Sequence, residues 1–253
     1  MPGKETSWAI CSRTRRPLHF EAILRLHQHI QVRELAFGNE AAPLLVVDNF
    51  AADAEQLVNI AAGQPFTQQS RYYPGIRARA PDHYPQLFSG RLTETIGRHF
   101  GLRGRELKFS LCHFSLVTTP AAALMTPQRI PHVDSLASTG LASIHYLFTR
   151  DLGGTAFYRH RKTGFEVVDE ARNEAYLRSL REENLSPETA GEGYINGDTP
   201  LFEQIAKYDG VFNRMLIYRR NSLHSGCIAR DFVPDLDPAR GRLSINCFID
   251  MVN

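Results

Sequence analysis

Hydrophobic and polar positions divide the chain into two regimes. Up to about residue 105 the pattern is mixed. Phe20-Glu21-Ala22-Ile23-Leu24-Arg25-Leu26 suits the opening of a helix or of a strand, and residues 1–40 read as an N-terminal extension packed on the main domain. Leu44-Leu45-Val46-Val47-Asp48 is a short apolar run with β-branched residues, which predicts a buried strand. Asp53 opens a predicted helix over Ala54–Ala61, which Gly63 ends. The stretch Arg71-Tyr72-Tyr73-Pro74-Gly75-Ile76-Arg77 is punctuated by Pro74-Gly75 and Pro81 and reads as an irregular loop. A second helix is expected from about Pro85 to Phe100, stopped by Gly101.

From Lys108 onward the period becomes two. Phe109, Leu111, His113 and Ser115 alternate with Ser110, Cys112, Phe114 and Leu116. Side chains two apart share a face of a strand, so this is strand patterning. Further strands are expected at Ala142–Phe148, Thr155–Tyr158, Val211–Tyr218 and Arg242–Ile249, with a turn at Gly153-Gly154. A polar stretch of about residues 166–206 has helical character, at Asp169 to Glu183 and again at Pro200 to Ala206. It reads as an insertion covering one face. The expected fold class is mainly β with flanking helices (α+β), a barrel or sandwich. One domain is expected over 1–253, with the main body at 41–253.

Composition narrows the classes. The chain has 253 residues, 29 Lys and Arg against 27 Asp and Glu, and a formal charge of +2. It is long enough to bury a core without staples. A charge near zero provides no global field for nucleic acid or an anionic membrane. Apolar runs such as Pro43–Val47 are too short to span a bilayer. The four cysteines, Cys11, Cys112, Cys227 and Cys247, show no metal-binding spacing and read as reduced, partly buried thiols. The first residues carry no apolar signal segment, so a cytoplasmic protein is expected.

Candidate chemistry centres on Pro131-His132-Val133-Asp134-Ser135. If extended, this segment points His132 and Asp134 to one side. An imidazole and a carboxylate so placed are two of the three ligands of a two-His-one-carboxylate set for non-haem Fe(II). A lone His-x-Asp is weak, and a polar turn gives the same pattern. His224, in Asn221-Ser222-Leu223-His224-Ser225-Gly226, follows a predicted strand, so a barrel can return it to the first pair. Arg242 and Ser244 then share one face of the last strand. A guanidinium fork matches a carboxylate bidentately, and a serine hydroxyl adds a bond.

The order of these features resembles the Fe(II)/2-oxoglutarate-dependent dioxygenases, and within them the prolyl-hydroxylase-like group. The resemblance spans Pro43 to Ile249 with the insertion set aside. It implies a double-stranded β-helix, or jelly-roll, core. It also implies that His132, Asp134 and His224 hold iron and form the catalytic centre. Arg242, helped by Ser244, would grip the distal carboxylate of 2-oxoglutarate. The chain departs from the group in carrying Arg where many members have Lys, and His113-Phe114 where many have an Arg-Tyr pair. The second cosubstrate contact is assigned to Tyr146. Arg240 rivals Arg242 but lies in a turn without a phased partner. The loop Asp231–Asp237 lengthens the gap before Arg242. The implied activity is hydroxylation of an amino-acid, peptide or small-metabolite substrate, with succinate and CO2 released. Nucleic-acid demethylases of the superfamily are expected to carry a second Arg after the cosubstrate Arg, and none follows Arg242 here.

Tyr72, Tyr73 and Arg77 suit a substrate-binding lip as well as they suit a solvated surface loop. Of the ten histidines, His113 and His145 read as core or wall residues. His19, His27, His29, His83, His99 and His160 read as surface. Two other functions fit the same outline: a cupin-like metalloprotein working without 2-oxoglutarate, and a non-catalytic jelly-roll binding module.

Overall fold

The computed structural model describes residues 24–104, 106–183 and 191–252. Its strands are β1 (Gln31–Phe37), β2 (Ala42–Asp48), β3 (Gly75–Arg79), β4 (Glu106–Val117), β5 (Leu141–Tyr146), β6 (Gly154–His160), β7 (Phe202–Asp209), β8 (Met215–Arg219), β9 (His224–Cys227) and β10 (Arg242–Val252). The helices are α1 (Ala54–Ala62), α2 (Arg91–His99) and α3 (Glu170–Glu182). Seven strands form one sheet in the order β1-β2-β8-β5-β10-β4-β3, and three form a second in the order β7-β6-β9. Neighbours in both sheets are antiparallel. The sheets face each other: the Phe157 ring of β6 meets Tyr218 of β8 at 5.2 Å, and the Tyr146 hydroxyl bonds Thr155 Oγ1 at 2.7 Å. This is the jelly-roll core, mainly β with flanking helices.

Period two decides the two faces of the large sheet. Leu243, Ile245, Cys247 and Ile249 of β10 point outward and are fully buried under α1 and α2. Helix α1 presents Ala54, Leu57 and Ala61 to them, the spacing of one helical face. Burying a side chain such as Leu57 contributes about 1.5–3 kcal/mol. The alternate residues Arg242, Ser244, Asn246 and Phe248 face inward. Behind the small sheet, α3 buries Tyr176 and Leu180 against Tyr158, Leu223 and Cys227. No helix among the described residues is long and apolar enough to cross a membrane.

Several expectations shift. The segment expected as one helix over Pro85–Phe100 divides into a short 3-10 turn, Tyr84–Leu87, and α2. Gly90, at φ +58°, takes the left-handed turn between them. The strand expected from Val211 begins only at Met215. Asn213 sits at φ +62°, where its side-chain amide clamps the Ala51 backbone with two bonds of 2.8 and 2.9 Å. The loop around Arg71–Arg79 becomes strand β3 from Gly75 onward. A Cβ at position 75 would meet the Leu116 carbonyl, so glycine is what lets this strand lie on β4. Within the predicted insertion, α3 forms as expected, with the Asp169 carboxylate accepting from Arg172 N–H at 3.0 Å. Pro200–Ala206 is not helical: Phe202–Asp209 is β7, paired along β6. Of the predicted extension, Gln31–Phe37 is an edge strand on β2, while Phe20–Ile23 lie outside the described residues. His160 is not at the surface. It is fully buried, with 2.8 Å bonds to Thr163 Oγ1 and Glu183 Oε2. His99 is largely covered too, with Nε2 close to the Leu35 and Leu44 carbonyls.

Candidate metal centre

The segment after Pro131 runs antiparallel beside β9. His132 N–H donates to the His224 carbonyl at 2.9 Å, and His224 N–H donates to the His132 carbonyl at 3.0 Å. Asp134 N–H donates to the Arg220 carbonyl at 2.8 Å. Two of the three predicted ligands are thus fixed to each other through backbone. Their side chains converge: His224 Nε2 lies 3.5 Å from one Asp134 oxygen and His132 Nε2 lies 3.7 Å from the other. One donor atom from each residue falls within 4.8 Å of the others.

The donor chemistry fits a divalent transition metal. Two imidazoles and one carboxylate suit an ion such as Fe(II) and leave coordination positions open. His224 Nδ1–H donates to the Ser222 carbonyl at 2.9 Å. A carbonyl cannot donate, so that nitrogen carries the proton and Nε2 is left with its lone pair. Metal-ligating histidines are oriented in this way. The crowded cavity, and then the His224 imidazole, push His132 down to about 4, against the pull of Asp134. Half of the His132 side-chain surface faces the open cavity, so solvent screens part of that shift. Tyr218 packs its ring 4.7 Å from His224, and burial, then the nearby Asp134 carboxylate, raise its hydroxyl well above the ordinary value.

These groups line a cavity of about 470 Å3. Arg242 lines it as well and is only 6% exposed. Its Nε donates to the Leu152 carbonyl at 3.0 Å and its Nη2 to the Gly154 carbonyl at 2.7 Å, which pins the guanidinium. Neither bond uses Nη1. Ser244 shares the wall and donates to Asn246 Oδ1 at 2.7 Å. Across the inner face, Arg77 of β3, Ser115 of β4, Ser244 of β10 and Tyr146 of β5 stand in one row. Tyr73 covers this region with its ring under the Arg77 guanidinium at 4.2 Å. Burial raises the Tyr73 hydroxyl, while Arg77 and Arg242 oppose the shift.

The cavity gathers His132, Asp134, His224, Arg242, Ser244, Tyr72, Tyr73 and Arg77. Tyr146 stands apart. It is fully buried and its hydroxyl is held by Thr155, so Thr155 rather than Tyr146 faces the cavity. Arg240 is largely exposed and paired with Asp235 and Asp237, and Asp250 pairs with Arg220 rather than with Arg242. Sequence reasoning missed Ser115, Thr155, Tyr194, Tyr218 and Asn246. Ser115 and Asn246 were reachable, since period two places them on the same inner face as His113 and Ser244. Tyr218 carries no such signal, because it reads as one more apolar strand residue.

Fold and site together define a jelly-roll protein with a two-histidine, one-carboxylate group in its cavity. The chain belongs to a family described as "Family of unknown function (DUF6445)", whose model matches residues 28–249. No curated protein matches it. Among solved structures, HygX from Streptomyces hygroscopicus with nickel and 2-oxoglutarate bound is similar over 84% of both chains, with a TM-score of 0.50 and 10% identity. EctD from S. alaskensis with 2-oxoglutarate and 5-hydroxyectoine aligns over 89% of this chain and 84% of its own, at a TM-score of 0.43 and 12% identity. A Pseudomonas putida prolyl-4-hydroxylase aligns over 79% of this chain and all of its own (100%), at a TM-score of 0.36 and 13% identity. At these identities the HygX likeness concerns the fold alone.

Proposed function

We propose that the protein is an Fe(II)- and 2-oxoglutarate-dependent oxygenase that hydroxylates an amino-acid, peptide or small-metabolite substrate, with succinate and CO2 as co-products. The observation that supports this reading is the convergence of His132, Asp134 and His224 in a cavity that also holds the buried guanidinium of Arg242.

His132, Asp134 and His224 would hold the iron, which when bound supplies the activation of O2 and the oxidative chemistry. The chain supplies placement and proton control. Ser222 keeps the proton of His224 on Nδ1. Arg242 is fixed by two carbonyls with Nη1 left over, so it would receive the distal carboxylate of 2-oxoglutarate without rearranging. Ser244 and Ser115 stand beside it, and Thr155 takes the place first given to Tyr146 as a further hydroxyl. Tyr72, Tyr73 and Arg77 would contact the substrate. Val133, Ile144 and Phe248 provide apolar wall that excludes water. The same reading places the protein in the cytoplasm, a reducing compartment where ferrous iron and the thiols of Cys112, Cys227 and Cys247 persist.

Anaerobic titration with Fe(II) and 2-oxoglutarate tests the reading. A weak visible charge-transfer band of the chelate is expected. Folded, metal-loaded protein that shows no band sinks it. Turnover that survives Arg242→Ala would favour a metalloprotein working without 2-oxoglutarate.

A further inference from the structure

The cavity contains a second guanidinium, that of Arg77, whose counter-charge on the substrate the reading above leaves unnamed. Arg77 lies on β3, and its backbone is fixed from both sides. It exchanges two 2.9 Å bonds with Thr67 and pairs in register with Ser115 of β4. Alternation along β3 sends Ala78 outward into the core and Arg77 inward. The guanidinium stacks on Tyr73, and its Nε is buried with no hydrogen-bond partner among the described residues. The other arginines of this strand and loop are engaged: Arg79 pairs with Asp82, and Arg71 donates to the Tyr72 hydroxyl. A guanidinium Nε buried without a partner is costly unless something arrives to meet it.

Charge counting in the cavity points the same way. The ionic side chains of its lining, histidines aside, are Arg77, Arg242 and Asp134. A divalent ion and the 2-oxoglutarate dianion cancel each other. Asp134 offsets one guanidinium, and one positive charge is left over. Arg242 is pinned by two carbonyls, whereas the Nε of Arg77 has no partner among the described residues. The lining also includes the apolar side chains of Leu111, Val133, Ala142, Ile144 and Phe248. The volume, about 470 Å3, suits a small molecule beside 2-oxoglutarate.

We infer that the primary substrate is a small carboxylic acid with an apolar body, whose carboxylate pairs with the Arg77 guanidinium over Tyr73. This rests on the oxygenase reading. The fork of Arg77 and its aromatic support favour a planar bidentate anion. The apolar wall then carries the body of the molecule toward His132, Asp134 and His224.

Saturation-transfer NMR on full-length protein loaded with Zn(II) and 2-oxoglutarate tests it. The probes are the free amino acids, their N-acetyl derivatives and the matched primary amides. Binding by one or more acids is expected, with the matched amides at least tenfold weaker. Arg77→Met should weaken those acids at least tenfold. Arg77→Lys, which keeps the charge and serves if Met disturbs folding, should weaken them less. Amides that bind as well as acids overturn the inference. So do acids that bind Arg77→Met unchanged, or a library in which no acid binds while 2-oxoglutarate does. If 2-oxoglutarate itself is lost in Arg77→Met but kept in Arg242→Met, Arg77 belongs to the cosubstrate and the inference fails. A wild-type protein that gives no 2-oxoglutarate signal sinks the oxygenase reading, and this inference with it.

Discussion

The two faces of the large sheet are built from the same strands and answer to different demands. On the outer face of β10, Leu243, Ile245, Cys247 and Ile249 are all fully buried against helices. The imidazole of His145 on that face has a partner at each nitrogen, Tyr84 Oη and Asn213 Oδ1, both at 3.0 Å. On the inner face, Ser115 Oγ and Arg77 Nε have no partner, and Arg77 opens on the cavity; on the outer face Ser143 Oγ is also without one but is enclosed in the core. Unpartnered polar groups weaken a fold. Where such a group lines a cavity, as Arg77 does, a ligand can supply the missing bond. The contrast therefore separates residues that hold the protein together from residues that wait for something else.

The sharpest way to break this contrast is Asp134→Ala. It should abolish the anaerobic Fe(II)–2-oxoglutarate band while circular dichroism still shows a folded protein. A surviving band would remove Asp134 from the metal set. Next comes the opposite face: Ile245→Ala should cost about 2–5 kcal/mol of stability in urea unfolding, as buried large-to-small changes do, yet leave the band intact in the folded fraction. Equal damage to both readouts would erase the distinction between the faces.

A pH series sharpens it further. Burial, opposed by the Asn213 hydrogen bond, holds His145 down to about 4. The unfolded chain, with an ordinary imidazole, takes up the proton first as pH falls. The stability that follows is complete above about pH 6.5 and is lost on descending toward 4, about 3 kcal/mol in all. Urea unfolding between pH 4 and 7 should show that slope in the wild type and a flatter one in His145→Gln. Equal slopes would remove His145 as the source.

Smaller effects compare two arginines close in sequence. Arg242→Ala should weaken 2-oxoglutarate binding by about 2 kcal/mol, roughly thirtyfold, through the loss of charge-assisted bonds, as read by titrating the band. Arg240→Ala removes only surface pairs with Asp235 and Asp237, and should leave both Tm and that titration unchanged. If the two variants behave alike, Arg242 is not the cosubstrate residue.

Much of this was legible in the sequence. Alternation in β10, and in β4 from Leu111 onward, gave both faces, because a buried sheet with one wet side enforces period two; a bulge opposite Phe248 and Ile249 turns Phe109 to the outer face, away from the expected row with Leu111. The group His132, Asp134 and His224 could be nominated because its side-chain types and order are chemically restrictive. Other features were hidden by long-range packing. Pro200 to Ala206 looks helical in isolation, but from Phe202 onward it is strand because β6 offers it a partner. His160 looks like a polar residue beyond a strand, but the end of α3 brings Glu183 to it. Tyr146 sits in the right row of the right sheet. Only the approach of Thr155 from the opposite sheet shows that its hydroxyl is already used.

The reciprocal backbone bonds between His132 and His224 have a consequence for amide exchange. An ion that ties the two side chains also opposes separation of the two backbones. Metal occupancy and local opening of this bridge are therefore linked, with protection rising as RT ln(1 + [M]/Kd). The His132 and His224 amides would then act as an internal gauge of site loading, slowing their exchange with deuterium as metal is added while amides that open locally without disturbing the site keep their rates.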